Sequence, residues 1–192
     1  HFTAGIITGG GVAGVKLLIF WVVVGNFGGI GVSGRLARQL TLEHGVKVRL
    51  VVDDLHSFAR IEPTVDASRA QQEICDTQVI LWDAALDIIP AQLVIEAFAV
   101  DLPEPYVALM LIAATPPVWV NLEYLTAETW VGSYHLLPSP HPKFRLVKHF
   151  YFPGFLPNTG GLIRERNLLK DSAANSTPRE VDRLSVFLFC YE

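Results

Sequence analysis

The chain has 192 residues, of which 51% are hydrophobic and 18% charged, and its formal net charge is -4. This composition excludes a disordered tail and is enough for one large domain with a real core. Lys and Arg do not cluster with aromatic residues, which argues against a nucleic-acid surface, and the acidic balance favours a basic partner.

Membrane insertion and a disulfide framework are both disfavoured by the sequence. The longest dense apolar run covers only residues 17–24, whereas a membrane-spanning helix needs roughly 20 residues. Cys75 and Cys190 form no CxxC motif, so we interpret them as reduced thiols. We therefore expect a cytoplasmic protein with no membrane partner.

The first elements predict a βαβ unit. Residues 17–24 read LLIFWVVV, and this β-branched and aromatic run is typical of a buried parallel strand. A Gly-rich turn at 25–31 precedes a helical face from Leu36 to Leu42 that ends at Gly45. The run at 46–52 is a second strand, which closes on Asp53 and Asp54.

The later elements continue this alternation of strands and helices. We predict strands at 78–82, 93–98 and 118–122, helices at 104–114, 127–134 and 162–169, loops at 137–142 and 152–161, and a polar linker at 172–178. This order indicates an α/β fold with a doubly wound parallel sheet, which is Rossmann-like.

Ligands of such sheets bind beyond the carboxyl ends of the strands. The residues expected there are the 25–31 loop, Asp53, Asp54, Glu96, Phe98 and the segment 121–124. Glu96 could instead be a paired buried acid, and Asp53 could cap a helical turn.

One motif suggests a nicotinamide-dinucleotide site. Gly29, Gly31 and Gly34 satisfy G-x-G-x-x-G, and Asp53 follows at about the spacing of a ribose-binding acid. However, residues 25–28 separate the strand from Gly29, whereas the fingerprint places its first glycine directly at the end of the strand. A dinucleotide-binding domain therefore remains an alternative function.

The histidines and cysteines show no metal-ligand spacing, since His135 and His141 are separated by prolines and the others are isolated. We therefore expect no metal site. Hydrolase and kinase functions are also disfavoured, because the chain has no G-x-S-x-G and no Walker loop.

A series of uncommon strings identifies a family. The chain from about residue 17 to its end resembles the protein-arginine rhamnosyltransferases that act on elongation factor P (the EarP family). The strings that carry the resemblance are VVxGNFGGIGVSGRLARQLxxEHG (22–45), VRLVVDDLxSFARI (48–61), VIEAFAVDLPEPYVALM (94–110), PPVWVNLEYLTAETWV (116–131), LPSPHPKF (137–144), KHFYFPGFLPNTGGLIRER (148–166) and VFLFCYE (186–192).

The resemblance implies the two-domain glycosyltransferase architecture called GT-B. In that family the carboxy-terminal domain holds the donor dTDP-β-L-rhamnose, and the amino-terminal domain receives elongation factor P. No cofactor is implied. We expect residues 17–183 to be the acceptor-side domain, 1–16 a poorly defined leader, and 184–192 the first strand of a missing donor-binding domain. A non-catalytic module that binds elongation factor P is a further alternative.

The resemblance also implies site residues. A guanidinium is a poor nucleophile because its pKa exceeds about 12, and carboxylates can orient it and accept its proton. The family uses two aspartates of a D-N-F-G-D loop, and this chain has Gly25 and Gly29 at those positions. We therefore expect impaired chemistry, with Glu123 a possible catalytic carboxylate. The matching binding positions are Asn26, Phe27, Gly28, Gly31 and Tyr124, with Tyr191 on the nucleotide side.

Overall fold

The computed structural model describes residues 17–22, 27–168 and 170. These residues form one eight-stranded sheet in the order β3-β4-β2-β1-β5-β6-β8-β7. The strands are β1 Leu17–Val22, β2 Lys47–Val52, β3 Gln71–Ile74, β4 Thr77–Leu81, β5 Leu93–Ala97, β6 Val118–Leu122, β7 Pro138–Pro140 and β8 Val147–Tyr151. The α-helices are α1 Phe27–His44, α2 Leu55–Ala59 and α3 Glu104–Ile112, and short 3₁₀ helices cover Trp82–Ala85 and Thr129–Ser133.

The six inner strands are parallel, and their order reverses direction between β1 and β5. The predicted α/β class is confirmed, and this strand order is compatible with a Rossmann-like fold. The sheet is mixed, however, because both edge strands are antiparallel. Cys75 and Asp76 join β3 to β4 with positive φ angles of 48° and 60°, a turn that folds the chain directly back on itself.

Helices cover both faces of the sheet, as a doubly wound fold requires. On one face α1 and α2 bury Ile30, Leu36, Leu40 and Phe58 against side chains of β2, β5 and β6. On the other face α3 buries Tyr106, Val107 and Met110 against Trp21, Val51, Val94 and Trp119. Because both faces are covered, β1, β5 and β6 in the middle of the sheet are apolar in nearly every position, which made them readable from sequence.

The glycine-rich segment after β1 differs from its prediction. We expected a turn at 25–31, but α1 begins at Phe27, so Gly28, Gly29 and Gly31 are helical. A glycine in a helix costs about 1 kcal/mol relative to alanine. The buried face of α1 offsets that cost, because helices in proteins depend mainly on packing of their apolar side.

Strands β3, β7 and β8 were missed by sequence reasoning. Strand β8 has half-buried Lys148, His149 and Phe150 and lacks a continuous apolar run. Strand β7 lies inside the proline-rich stretch 137–142, and proline is tolerated there because the strand is at the edge of the sheet. The predicted helix at 127–134 is reduced to the 3₁₀ helix Thr129–Ser133.

The predicted helix at 162–169 is wrong over residues 162–165, which have no regular secondary structure. The segment instead crosses the outer side of α1. Arg35 pairs with Glu165 through two hydrogen bonds of 2.9 and 2.6 Å, and Gln39 donates to the carbonyl of Arg164 at 2.6 Å. Gln39 of α1 thus donates a hydrogen bond to a backbone carbonyl that would accept from a backbone N–H if the segment were helical.

Some predictions fall on residues outside the described ranges: the leader at 1–16, the linker at 172–178, the strand at 184–192 and Tyr191. Among the residues that the structure does describe, no helix is both long and apolar enough to cross a bilayer.

Candidate functional site

The site expected from the topology lies where β1 and β5 end and α1 begins. Strand β1 is described to Val22 and α1 from Phe27 onward. Gly25 and Asn26 lie outside the described residues, as does the side chain of Phe27. Gly29 is in the first turn of α1, which carries no acidic side chain. A helix amino terminus normally favours a carboxylate, and an aspartate at position 29 would supply one there.

The dinucleotide fingerprint does not have the geometry that its mechanism needs. Its glycines should lie in the turn between strand and helix, where backbone N–H groups face a pyrophosphate. Gly29, Gly31 and Gly34 instead lie within α1. Asp53 is exposed after β2, and Asp54, not Asp53, caps α2 by accepting from His56 and Ser57.

The loop after β5 is conformationally strained. Phe98, Ala99 and Asp101 have positive φ angles of 63°, 56° and 53°, which are uncommon for residues other than glycine. Such angles cost about 1–3 kcal/mol each and persist where surrounding contacts enforce them. Here the Phe98 N–H donates to the Leu122 carbonyl at 2.7 Å.

Asn121 connects this strained loop to the end of β6. The side chain is fully buried; its Oδ1 accepts from the Ala99 N–H at 2.9 Å, and its Nδ2 donates to Glu123 Oε1 at 2.5 Å. Next to these two bonds, the rings of Phe98 and Tyr124 stack with centroids 4.0 Å apart and an interplanar angle of 14°. Tyr124 is 52% exposed, so this stack lies at the surface.

Glu123 and Tyr124 are therefore both at the carboxyl edge, as predicted. The Glu123 N–H donates to the Tyr151 carbonyl at 2.9 Å, which extends the β6–β8 pairing beyond Leu122. Asn121, which bonds Glu123, is on the α3 side together with Trp119, and Phe98 packs against the core under α1. Glu123 and Tyr124 are adjacent in the sequence, but in the fold the side chain of Glu123 bonds Asn121 whereas that of Tyr124 stacks on Phe98.

Glu96, the other carboxylate considered, is inside the sheet. Its side chain is fully buried, Lys148 Nζ bonds its Oε1, and Trp119 Nε1 donates to its Oε2 at 3.2 Å. Burial raises the pKa of Glu96, and the bond to Lys148 opposes that rise. The interpretation as a paired buried acid fits this geometry, and Glu96 is out of reach of a substrate.

The two histidines considered as metal ligands both accept backbone hydrogen bonds. His135 Nδ1 accepts from the Phe152 N–H at 3.1 Å, and His141 Nδ1 accepts from the N–H groups of Lys143 and Phe144. Burial lowers the pKa of His135. No group of three or more His, Cys, Asp and Glu residues with metal-binding geometry occurs in the described part of the chain.

Sequence reasoning missed Lys148 and did not single out Asn121 as a connection between strands. The signal for Asn121 was a polar residue within the apolar run VWVNL, which implies a buried side chain with fixed partners. Lys148 gave no such signal, because its partner Glu96 belongs to a strand distant in sequence.

Comparisons with known proteins extend over most of the chain. The model of the family described as Elongation-Factor P (EF-P) rhamnosyltransferase EarP matches residues 17–192. Protein-arginine rhamnosyltransferase of Pseudomonas putida is 54% identical over 152 residues, covering 79% of this chain and 40% of that relative. The Pseudomonas aeruginosa protein of that name is 48% identical over 153 residues, covering 79% and 40%. The one from Shewanella oneidensis is 45% identical over 165 residues, covering 81% and 41%. The chain therefore spans about 40% of the length of these relatives.

Proposed function

Because the chain belongs to the family of EF-P rhamnosyltransferases EarP, we propose that it forms the acceptor-side part of a protein-arginine rhamnosyltransferase. The proposed reaction moves rhamnose from dTDP-β-L-rhamnose to an arginine of elongation factor P in the cytoplasm, with inversion at the anomeric carbon. The family match over residues 17–192 is the observation that carries this proposal. In the proposed GT-B arrangement, a carboxy-terminal domain holds the nucleotide sugar.

The fold supports an acceptor-side role in two ways. The strand order places a switch point between β1 and β5, where ligands of doubly wound sheets bind. The chain also has a net charge of -4, which favours approach of a basic loop. An arginine on such a loop would enter at the edge formed by the start of α1, the loop after β5 and the end of β6.

The chain lacks two carboxylates that the proposed chemistry needs. The acceptor nitrogen must be oriented and must lose a proton as the new C–N bond forms, while the bond to dTDP breaks and the diphosphate leaves. A positioned general base typically contributes about 100- to 10,000-fold to such a step. Gly25 and Gly29 offer no carboxylate at the positions implied by the family resemblance. We therefore propose that transfer is strongly impaired.

The test joins this chain to the carboxy-terminal part of a family member and incubates the fusion with elongation factor P and dTDP-β-L-rhamnose. Mass spectrometry of elongation factor P measures the added rhamnose. We expect no product from the glycine form and measurable product from Gly25→Asp/Gly29→Asp. Position 29 accepts aspartate without backbone strain because it is helical.

Gly34→Asp is the control for the substitution at position 29, because it also adds one carboxylate to α1 but farther along the helix. This control is expected to give no product. If the double aspartate form also transfers no rhamnose, while thermal melts show that it is folded, the proposed function is wrong. If the glycine form transfers as fast as the double aspartate form, another residue is the base.

A further inference from the structure

We propose that the stacked rings of Phe98 and Tyr124 are a platform for the planar guanidinium of the acceptor arginine, and that Asn121 and Glu123 are positioning residues that hold this platform. The inference rests on the proposed function for the identity of the acceptor. In this proposal the end of β6 positions the substrate. Glu123 supports an aromatic ring and does not transfer a proton.

The geometry of the stack leaves one aromatic face for a ligand. Phe98 is partly buried and packs against the core on the α1 side of the sheet. Tyr124 lies nearly parallel on it, at 14° and with 4.0 Å between ring centroids. Phe98 covers one face of Tyr124 and 52% of the residue is exposed, so we assign the opposite face to the ligand. A guanidinium plane stacks on such a face.

The platform is held by contacts on both sides. Asn121 accepts from the N–H of Ala99, which follows Phe98, and donates to Glu123, which precedes Tyr124. One fully buried amide therefore bridges the two segments that carry the rings. The positive φ angles of Phe98 and Ala99 show that the loop adopts this conformation at an energetic cost, which the Asn121 bonds offset.

The charge of this edge favours a cationic planar group over a nucleotide base. Asp101, which follows the platform loop, has a side chain that is 93% exposed. Glu123 adds a second carboxylate at the end of β6, and Lys148, whose Nζ lies 4.0 Å from Asp101 Oδ1, is also paired with buried Glu96. The net negative charge of this edge attracts an arginine and repels the phosphates of a nucleotide.

The test titrates the 192-residue chain with N-acetyl-arginine amide and follows tyrosine and backbone signals by NMR. N-acetyl-citrulline amide has nearly the same shape without the charge, and N-acetyl-lysine amide has the charge without the plane. We expect the arginine probe to bind most tightly of the three, with weak affinity. Thymidine, which is planar and neutral, tests the nucleotide alternative. Tighter binding of thymidine than of the arginine probe would overturn the assignment.

Tyr124→Leu should weaken arginine binding about threefold to fivefold, the range of a surface cation–π contact, and Tyr124→Phe should retain it. Tyr134→Leu is the matched control. Tyr134 has a similar exposure of 50%, but it meets Trp130 edge-on at 82° and forms no flat platform. An equal loss of binding in Tyr134→Leu and Tyr124→Leu would overturn the proposal.

Glu123→Gln separates a supporting role from direct binding. Glutamine keeps an oxygen that can accept from Asn121, so binding should remain within about twofold if Glu123 acts through Tyr124. Glu123→Ala and Asn121→Ala should both weaken binding as much as Tyr124→Leu, and Glu123→Ala tests the same bridge if Asn121→Ala fails to fold. Loss of binding in Glu123→Gln would mean that its carboxylate contacts the guanidinium directly.

The probe experiment is independent of the transfer experiment. Rhamnose transfer by the double aspartate fusion, together with no Tyr124-dependent binding of the arginine probe, would refute this inference alone. Tyr124-dependent arginine binding without any transfer would refute the proposed reaction and leave the arginine site in place.

Discussion

The negative charge of the buried Glu96 carboxylate is compensated by one ammonium group, that of Lys148. Glu96 is fully buried and Lys148 is 18% exposed, so the pair is largely withdrawn from water. An ion pair of this kind contributes little beyond a well-packed apolar pair, but breaking it leaves a buried charge without compensation. Trp119 donates a further hydrogen bond, which a neutral indole provides at any pH.

We therefore predict that Lys148→Met lowers the free energy of unfolding by about 3 kcal/mol at neutral pH. Urea denaturation measures the change. Lys143→Met is the control, because Lys143 pairs with Glu104 at the surface with side chains 59% and 64% exposed. An exposed pair contributes about 0–1 kcal/mol, so the control should be nearly neutral.

The effect of Lys148→Met should depend on pH. Burial raises the folded-state pKa of Glu96, so the folded protein holds its proton to higher pH than the unfolded chain does. Stability contributed by this group is then present at low pH and falls as pH rises through the folded pKa. Loss of Lys148 raises that pKa further, while Asp101 acts in the same upward direction. The destabilisation should be larger at about pH 7.5 than at about pH 5, because the raised pKa of Glu96 lets more of this carboxyl take up a proton at the lower pH. An equal loss at both pH values would indicate lost packing only.

At the scale of secondary structure elements, α1 carries one glycine, Gly31, that its packing does not require. A Cβ added at Gly31 would meet nothing within 4 Å, and the residue has no positive φ. We predict that Gly31→Ala raises the free energy of unfolding by about 1 kcal/mol, because alanine restricts the unfolded chain and favours the helix.

Gly45 provides the matched comparison at the end of the same helix. A Cβ there would also meet nothing within 4 Å, but Gly45 has φ of +64° and ends the helix. Gly45→Ala should lower the free energy of unfolding by about 1 kcal/mol because of the left-handed backbone. Thermal melts of the two variants should therefore shift in opposite directions. A lower melting temperature for Gly31→Ala would mean that α1 starts after position 31.

At the scale of the whole molecule, the donor should bind poorly to this chain. The chain spans about 40% of the length of its relatives, and in the proposed architecture the nucleotide sugar is held mainly by a carboxy-terminal domain. We predict a dissociation constant for dTDP-β-L-rhamnose on the order of 1 mM or weaker, which calorimetry can measure. The fusion described above should bind at least about tenfold more tightly. Equal and tight binding to both would place the donor site in this chain.

The sequence alone was sufficient for the central strands and the family. Nearly every residue of β1, β5 and β6 is apolar, as is typical of strands covered on both faces, and such a run can be recognised without knowledge of distant contacts. The strings that carry the family resemblance are likewise local. The positions of Glu123 and Tyr124 at the carboxyl edge followed directly from the predicted bounds of β6.

The tertiary structure decided the features that depend on distant partners. Helix α1 begins at Phe27 because its face packs on the sheet, and propensity alone would have delayed it past the glycines. Strand β8 forms because β6 and β7 pair with it, and Lys148 is placed beside Glu96 by that pairing. The two segments that carry the Phe98–Tyr124 stack are joined by the side-chain amide of Asn121. Such contacts are absent from any short window of sequence, because their energy exists only once the sheet has brought the strands together.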